Sequence, residues 1–162
     1  MQIELKTFPA MQLAYMRWTG PYGHPGIPAL WQRFAAWCAQ QGLMQPRRRM
    51  FGITQDNPEI TPADKCRYDA CVELPAGHVL RDAAAAGVAV QSFEGGRYAC
   101  ARYAGTGADI HQAWMRLYGE WLPQSGWQAD DKSCVELYDE DFVMDPATGA
   151  FNCWLCVPVR QL

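Results

Sequence analysis

The residue whose type and setting most suggest chemistry is Glu136. In Ser133-Cys-Val-Glu-Leu-Tyr-Asp-Glu-Asp141, the alternation of a strand puts Val135 and Leu137 on one face and Cys134, Glu136 and Tyr138 on the other. A carboxylate between a thiol and a phenol faces either solvent or a pocket. In a pocket it is a buried negative charge awaiting a cation, because an isolated buried carboxylate is costly. An apolar pocket raises its pKa, and a bound cation lowers it. Seven Trp, seven Tyr and six Phe exceed what the core of a small domain usually uses. Aromatic faces around one acidic group suit a lipophilic cation through stacking, cation–π attraction and charge pairing. Glu136 as general base with Tyr138 as acid is the catalytic alternative. One carboxylate and one phenol do not make a recognisable catalytic arrangement, so no catalytic residue is assigned and an enzyme is the less favoured reading.

Other reactive residues point to little. Cys153-Trp-Leu-Cys156 has the spacing of half a zinc site or a redox pair. It lies in a run that reads as a strand, Ala150 to Val159, where residues three apart face opposite ways. The seven cysteines, an odd number, read as reduced and mostly buried thiols. His24, His78 and His111 show no metal-ligand spacing, and no Ser-His-Asp or phosphate-loop motif is present. No metal and no cofactor is expected. Arg47-Arg48-Arg49 could mark a phosphate patch but reads better as a solvated edge.

The elements that must position Glu136 come from an internal repeat. Ile3 to Phe8 lies over Val88 to Phe93 at a shift of 85 residues, which also sets Arg17 on Arg102, Trp18 on Tyr103 and Gly20 on Gly105. Ile27, Leu30, Trp31, Phe34, Trp37 and Cys38 form one apolar helix face, repeated by Ile110, Ala113, Trp114, Leu117 and Trp121. Gly42 and Gly126 are placed to close these helices in the left-handed conformation. Met50 to Asp56 falls on Cys134 to Glu140, and Tyr68 to Pro75 falls on Phe151 to Pro158. Each half, about 2–75 and 88–159, reads β-β-α-β-β. The first two strands of each join tightly, through Pro9-Ala10 and through Glu94-Gly95-Gly96, as hairpin turns require. The prediction is one α+β domain over 1–162, with a largely antiparallel sheet, two long helices and a ligand cleft between the halves. Residues 75–87 read as a connector. The repeat breaks at Glu136, whose counterpart is Gly52.

Composition sets outer limits. Fourteen Lys and Arg against seventeen Asp and Glu give a formal net charge of −3, without the basic footprint of a direct nucleic-acid binder. No apolar run nears the roughly 20 residues that span a bilayer, and the N-terminal residues lack signal-peptide order. A cytoplasmic protein with no membrane partner is expected.

Five segments carry a family resemblance: Tyr15-Met-Arg-Trp-Thr-Gly-Pro-Tyr22, Tyr68-Asp-Ala-Cys-Val72, Gly95-Gly-Arg-Tyr-Ala-Cys-Ala-Arg-Tyr-Ala-Gly105, Cys134-Val-Glu-Leu-Tyr-Asp139 and Cys156-Val-Pro-Val159. In order and spacing, over about residues 2–160, the chain resembles the gyrase-inhibitor-like small-molecule-binding domain. That domain also serves as the effector-binding part of AraC-type and MerR-type multidrug-responsive transcription regulators. The resemblance implies a hydrophobic cleft with one acidic residue at its floor, binding lipophilic and often cationic aromatic compounds. Glu136 matches the acidic residue, and Tyr138 and Phe151 match cleft-lining positions. Tyr68 joins them by the internal repeat, and Trp18, Tyr103, Trp31 and Trp114 complete the candidate walls, although the helix-face rings Trp31 and Trp114 read as core for most of each side chain. Three functions follow: a stand-alone binding protein, a regulatory module acting with a DNA-binding or gyrase-type partner, and a hydrolase of reactive small molecules. No DNA-binding segment is recognisable in the chain.

Overall fold

The computed structural model describes residues 1–45 and 48–162. Of the arginine run, Arg47 lies outside the described residues. The strands are β1 (Ile3–Phe8), β2 (Met11–Thr19), β3 (Met50–Thr54), β4 (Arg67–Leu74), β5 (Ala89–Phe93), β6 (Gly96–Gly105), β7 (Trp127–Ala129), β8 (Val135–Tyr138) and β9 (Phe151–Gln161). Helix α1 spans Gly26–Gln40, and a second helical stretch runs as α2 (Ile110–Arg116), a π turn (Leu117–Trp121) and α3 (Leu122–Gln124). Gly42 and Gly126 follow the two stretches with φ of 71° and 78°, the left-handed closure that their positions predict. No helix among the described residues is long and apolar enough to cross a membrane.

All pairings are antiparallel, in the order β1-β6-β9-β8-β3-β4-β2-β5, with β7 on β9. Read inward from its two ends, this order sets the strands that the sequence repeat aligns (β1 with β5, β6 with β2, β9 with β4, β8 with β3) at matching positions. The tight connections close no hairpins, contrary to the reading of Pro9-Ala10 and Gly95-Gly96. β1 pairs with β6 and β5 with β2, so each half lends its first strand to the other. The two corners pack against one another, and a Cβ at Gly95, whose φ is 74°, would collide with the Phe8 carbonyl oxygen.

Alternation divides the side chains between two faces. On one face, Leu13, Phe51, Ile53, Cys71, Cys100, Val135, Leu137 and Cys156 gather with Phe8, Phe93, Tyr98 and Trp154. Phe51 stands at the centre, 5.7 Å from the Phe8 ring and 5.1 Å from Phe93. On the other face, Leu30, Phe34, Trp37 and Cys38 of α1 pack on Ala14, Met16, Tyr68, Ala70 and Val72. Leu117 of the π turn packs on Ala99, Ala101, Tyr103, Cys153, Leu155 and Val157. Cys153 and Cys156 thus belong to opposite faces, as their spacing along a strand requires.

An ion pair between a buried carboxylate and a partly exposed guanidinium holds β4 in place. Asp69 is fully buried and accepts two hydrogen bonds from Arg17 at 2.8 and 2.9 Å, with Gln55 and Gln91 donating at 3.0 and 3.1 Å. This two-pronged contact between β2 and β4 holds Arg17's pKa above its ordinary value. Because side chains alternate, fixing Asp69 on one face aims Tyr68 at the other.

Replacing Phe51 by Ala removes a ring with no solvent exposure from the centre of its core. A loss of about 3–5 kcal/mol is expected, read as a lower midpoint in urea unfolding followed by circular dichroism.

Candidate functional site

Glu136 lies on the helix-bearing face of β8, and only 8% of its surface is exposed. Its neighbours on that face are Cys134 and Tyr138. Tyr118 of the π turn hydrogen-bonds Cys134. Trp31 of α1 meets Tyr138 edge-on, with ring centroids 5.2 Å apart. The row Cys134-Glu136-Tyr138 is therefore touched by both helical stretches, one at each end.

The carboxylate's partners converge on a single atom. Tyr68 donates to Oε1 at 2.6 Å, and Tyr138 donates to the same oxygen at 3.0 Å. Trp31 donates its indole N–H to the Tyr68 hydroxyl at 3.0 Å. A chain of bonds thus runs from α1 through β4 to β8. Burial pushes the Glu136 pKa above its ordinary value, and the two phenol hydrogen bonds pull it partly back. Burial and the facing carboxylate push both phenols well above 10, which makes them donors that keep their protons.

Tyr68 and Glu136 stand on strands that are not neighbours, because β3 runs between β4 and β8. Two strand spacings are roughly 9.5 Å, and the phenol closes that gap by passing over β3. The residue beneath it is Gly52, paired with Glu136 on one side and with Ala70 on the other. A Cβ at Gly52 would collide with the Tyr68 hydroxyl and with Glu136 Oε1. The need here is for space, not for an unusual backbone conformation. The break in the repeat at Gly52 and Glu136 is thus one feature, with the empty position facing the filled one across the ladder.

The other candidates stand farther out. Phe151 is 6.3 Å from the Tyr138 ring and 5.8 Å from Tyr103, so it backs the site through Tyr138. Tyr103 spends its hydroxyl on the Thr106 carbonyl at 2.5 Å. Trp18 stacks on His24 at 4.6 Å and donates to the Pro21 carbonyl at 3.2 Å, at the start of α1. His24 Nδ1 accepts from the backbone N–H of Gly26 at 2.9 Å. Trp114 sits beside Tyr118 at 6.4 Å. The structure joins Glu136, Tyr68, Tyr138 and Trp31 directly, adds Phe151 behind them, and keeps Trp18, Tyr103 and Trp114 out of hydrogen-bonding reach of the carboxylate.

Two residues of the site escape a reading of the sequence. Gly52 offers no functional group, and only its pairing partner reveals its role. Cys153 is buried beside Glu136, whose charge helps to push its thiol pKa upward. Its place was hidden by the alignment of Tyr68 on Phe151. The ladders pair Trp18 with Tyr68 but Tyr103 with Cys153, so the counterpart of Tyr68 is Cys153, two residues along. Apolar residues at neighbouring even spacings satisfy either register, and only the hydrogen-bonded pairing separates them. Among the described residues, no group of three His, Cys, Asp or Glu side chains is placed to hold a metal ion.

Comparison with known proteins adds to this geometry. The family described as the GyrI-like small molecule binding domain matches residues 1–160. A DNA gyrase inhibitor from Edwardsiella ictaluri is 29% identical over 161 residues, which cover 99% of each chain. The C-terminal domain of EcmrR has a similar fold, with a TM-score of 0.68 at 12% identity over 99% of this chain and 98% of that one. EcmrR has also been seen in complex with DNA, where the match covers 58% of its chain with a TM-score of 0.71. SAV2435 bound to tetraphenylphosphonium gives a TM-score of 0.55 at 15% identity, covering 97% of this chain and 94% of that one.

Substituting Gly52 by Ala forces the Tyr68 hydroxyl off Glu136 and leaves a buried carboxylate short of a donor. A loss of about 1–3 kcal/mol is expected, measured by thermal unfolding. The added Cβ meets the Tyr68 hydroxyl most closely, and Glu136 Oε1 and the Tyr68 ring next, so adding Tyr68→Phe relieves the nearest of these clashes and should cost Gly52→Ala less than it costs the wild-type chain.

Proposed function

The chain belongs to the GyrI-like small-molecule-binding family, and from that premise we propose that its ligand is a lipophilic aromatic cation held against Glu136. One observation carries the reading: a buried carboxylate on the sheet face that bears both helical stretches, with both phenol donors on one oxygen and aromatic rings beside it. Burying such a charge costs several kcal/mol unless a counter-charge joins it. The phenols recover part of that cost, and a cation would recover the rest. Trp31, Tyr138 and Phe151 supply faces for stacking and cation–π attraction. The similarity in fold to SAV2435, known with tetraphenylphosphonium bound, supports the choice of cation. Trp31 reaches across to Tyr138 from the other half, so a ligand there would touch both halves of the fold. Such a ligand would alter how α1 sits on the sheet, a change that a regulator or other partner chain can read. The fold neighbour EcmrR, seen on DNA, supports this regulatory output.

Titration of tryptophan fluorescence with tetraphenylphosphonium, against neutral triphenylphosphine oxide, tests the charge. Glu136→Gln is expected to weaken the cation by at least about tenfold and to leave the neutral compound nearly unchanged. Equal losses for the two would overturn the reading.

The raised pKa of Glu136 fixes the sign of the pH dependence. A cation needs the ionised carboxylate, so affinity falls as pH drops through the folded-state value, which lies above 4.5. Binding pulls that value down and releases protons in the window between the free and bound pKa. In the ligand-free protein the sign is reversed. Stability from this group is complete below the unfolded pKa and declines as pH rises through the folded one, because the ionised form is the one that burial penalises. Calorimetry in two buffers of different ionisation enthalpy reads the proton release, and Glu136→Gln should abolish it.

A further inference from the structure

The hydrogen bonds at Glu136, if that cation reading holds, narrow the class of cation further. A carboxylate oxygen has about two lone-pair positions. Oε1 uses both, on Tyr68 at 2.6 Å and Tyr138 at 3.0 Å. The Tyr68 hydroxyl has one hydrogen, and its oxygen already accepts the Trp31 N–H at 3.0 Å. That hydrogen is therefore committed to Glu136 and cannot turn to serve a ligand. Gly52 keeps the path between them open.

We infer that the site receives its cation at Oε2 alone and selects onium groups without N–H donors, quaternary ammonium or phosphonium, over the planar guanidinium and amidinium forks. A fork gains its strength by donating to both carboxylate oxygens in parallel. Here the second arm would meet an oxygen already saturated, and its N–H would be desolvated without an acceptor. An onium centre has no such hydrogen to satisfy, and its diffuse charge is well matched by the faces of Trp31 and Tyr138. Tyr68 and Tyr138 then set specificity by occupying Oε1. Trp31 is a positioning residue that acts through Tyr68.

The test uses the full chain and two matched probes, biphenyl-4-yl-trimethylammonium and biphenyl-4-carboxamidine, with neutral 4-tert-butylbiphenyl as control, each followed by calorimetry. The wild-type chain is expected to prefer the ammonium probe. Tyr68→Phe frees one position on Oε1 and should swing the affinity ratio about tenfold toward the amidine, without a comparable change for the neutral probe. Tyr138→Phe removes the other donor and should swing it the same way, which carries the test if the first variant does not fold. Trp31→Phe, by releasing the Tyr68 hydrogen, should move the ratio in that direction by less. Glu136-dependent binding of both cations with a ratio unchanged in both tyrosine variants overturns this inference and leaves the cation reading standing. A wild-type chain that binds neither cation overturns both.

Discussion

A carboxylate placed on the apolar surface of a sheet needs hydrogen-bond donors, and the strongest donor to Glu136 comes from two strands away. Tyr68 reaches it at 2.6 Å over a strand that carries glycine at the crossing point. Much of the molecule follows from that crossing. β3 must pair with β8 in a register that puts Gly52 opposite Glu136, and β4 must be set so that Tyr68 faces the helices. Slipping either strand by one residue would turn the phenol or the carboxylate to the wrong face.

The rest of the fold holds that register. Phe51 and Ile53 flank Gly52 and enter the opposite core, while Val135 and Leu137 flank Glu136 and do the same. Both strands are therefore pinned by apolar side chains on either side of the Gly52–Glu136 pair. Asp69 and Arg17 pin β4 to β2, adjacent to Tyr68 in the chain. α1 adds the last constraint through Trp31, whose indole meets both Tyr68 and Tyr138. The site is thus a junction of both halves, built on strands with few ways to move, and rigid placement of this kind is what a preorganised charge requires.

Membership in a small-molecule-binding family agrees with this economy. The sheet supplies the scaffold, and the proposed binding chemistry would rest on one acid, two phenols and an indole. The exchange of first strands between the halves ties them into one continuous sheet, so that the central pair of strands, β3 and β8, carries the site. A ligand resting there, as proposed, would lie beside elements of both halves.

Much of this was legible in the sequence because it depends on local pattern. Alternation assigned the faces of β8, helical spacing found the apolar face of α1, and the repeat picked out Glu136 by its contrast with Gly52. The family resemblance marked the same acid together with Tyr138 and Phe151. What the chain order could not show was which strands pair. Pro9-Ala10 and Gly95-Gly96 look like hairpin turns, yet their strands part to opposite ends of the sheet, since tight turns fix a bend and not a partner. Spacing of apolar residues allowed Tyr68 to align with Phe151, whereas the ladders place Cys153 at its counterpart. Sequence determined which residues share a face, because the strand period is a property of the backbone itself. Only the tertiary structure decided that a glycine lies opposite the acid and that a tyrosine passes over it, because cross-strand neighbours are set by hydrogen bonds between segments far apart in the chain.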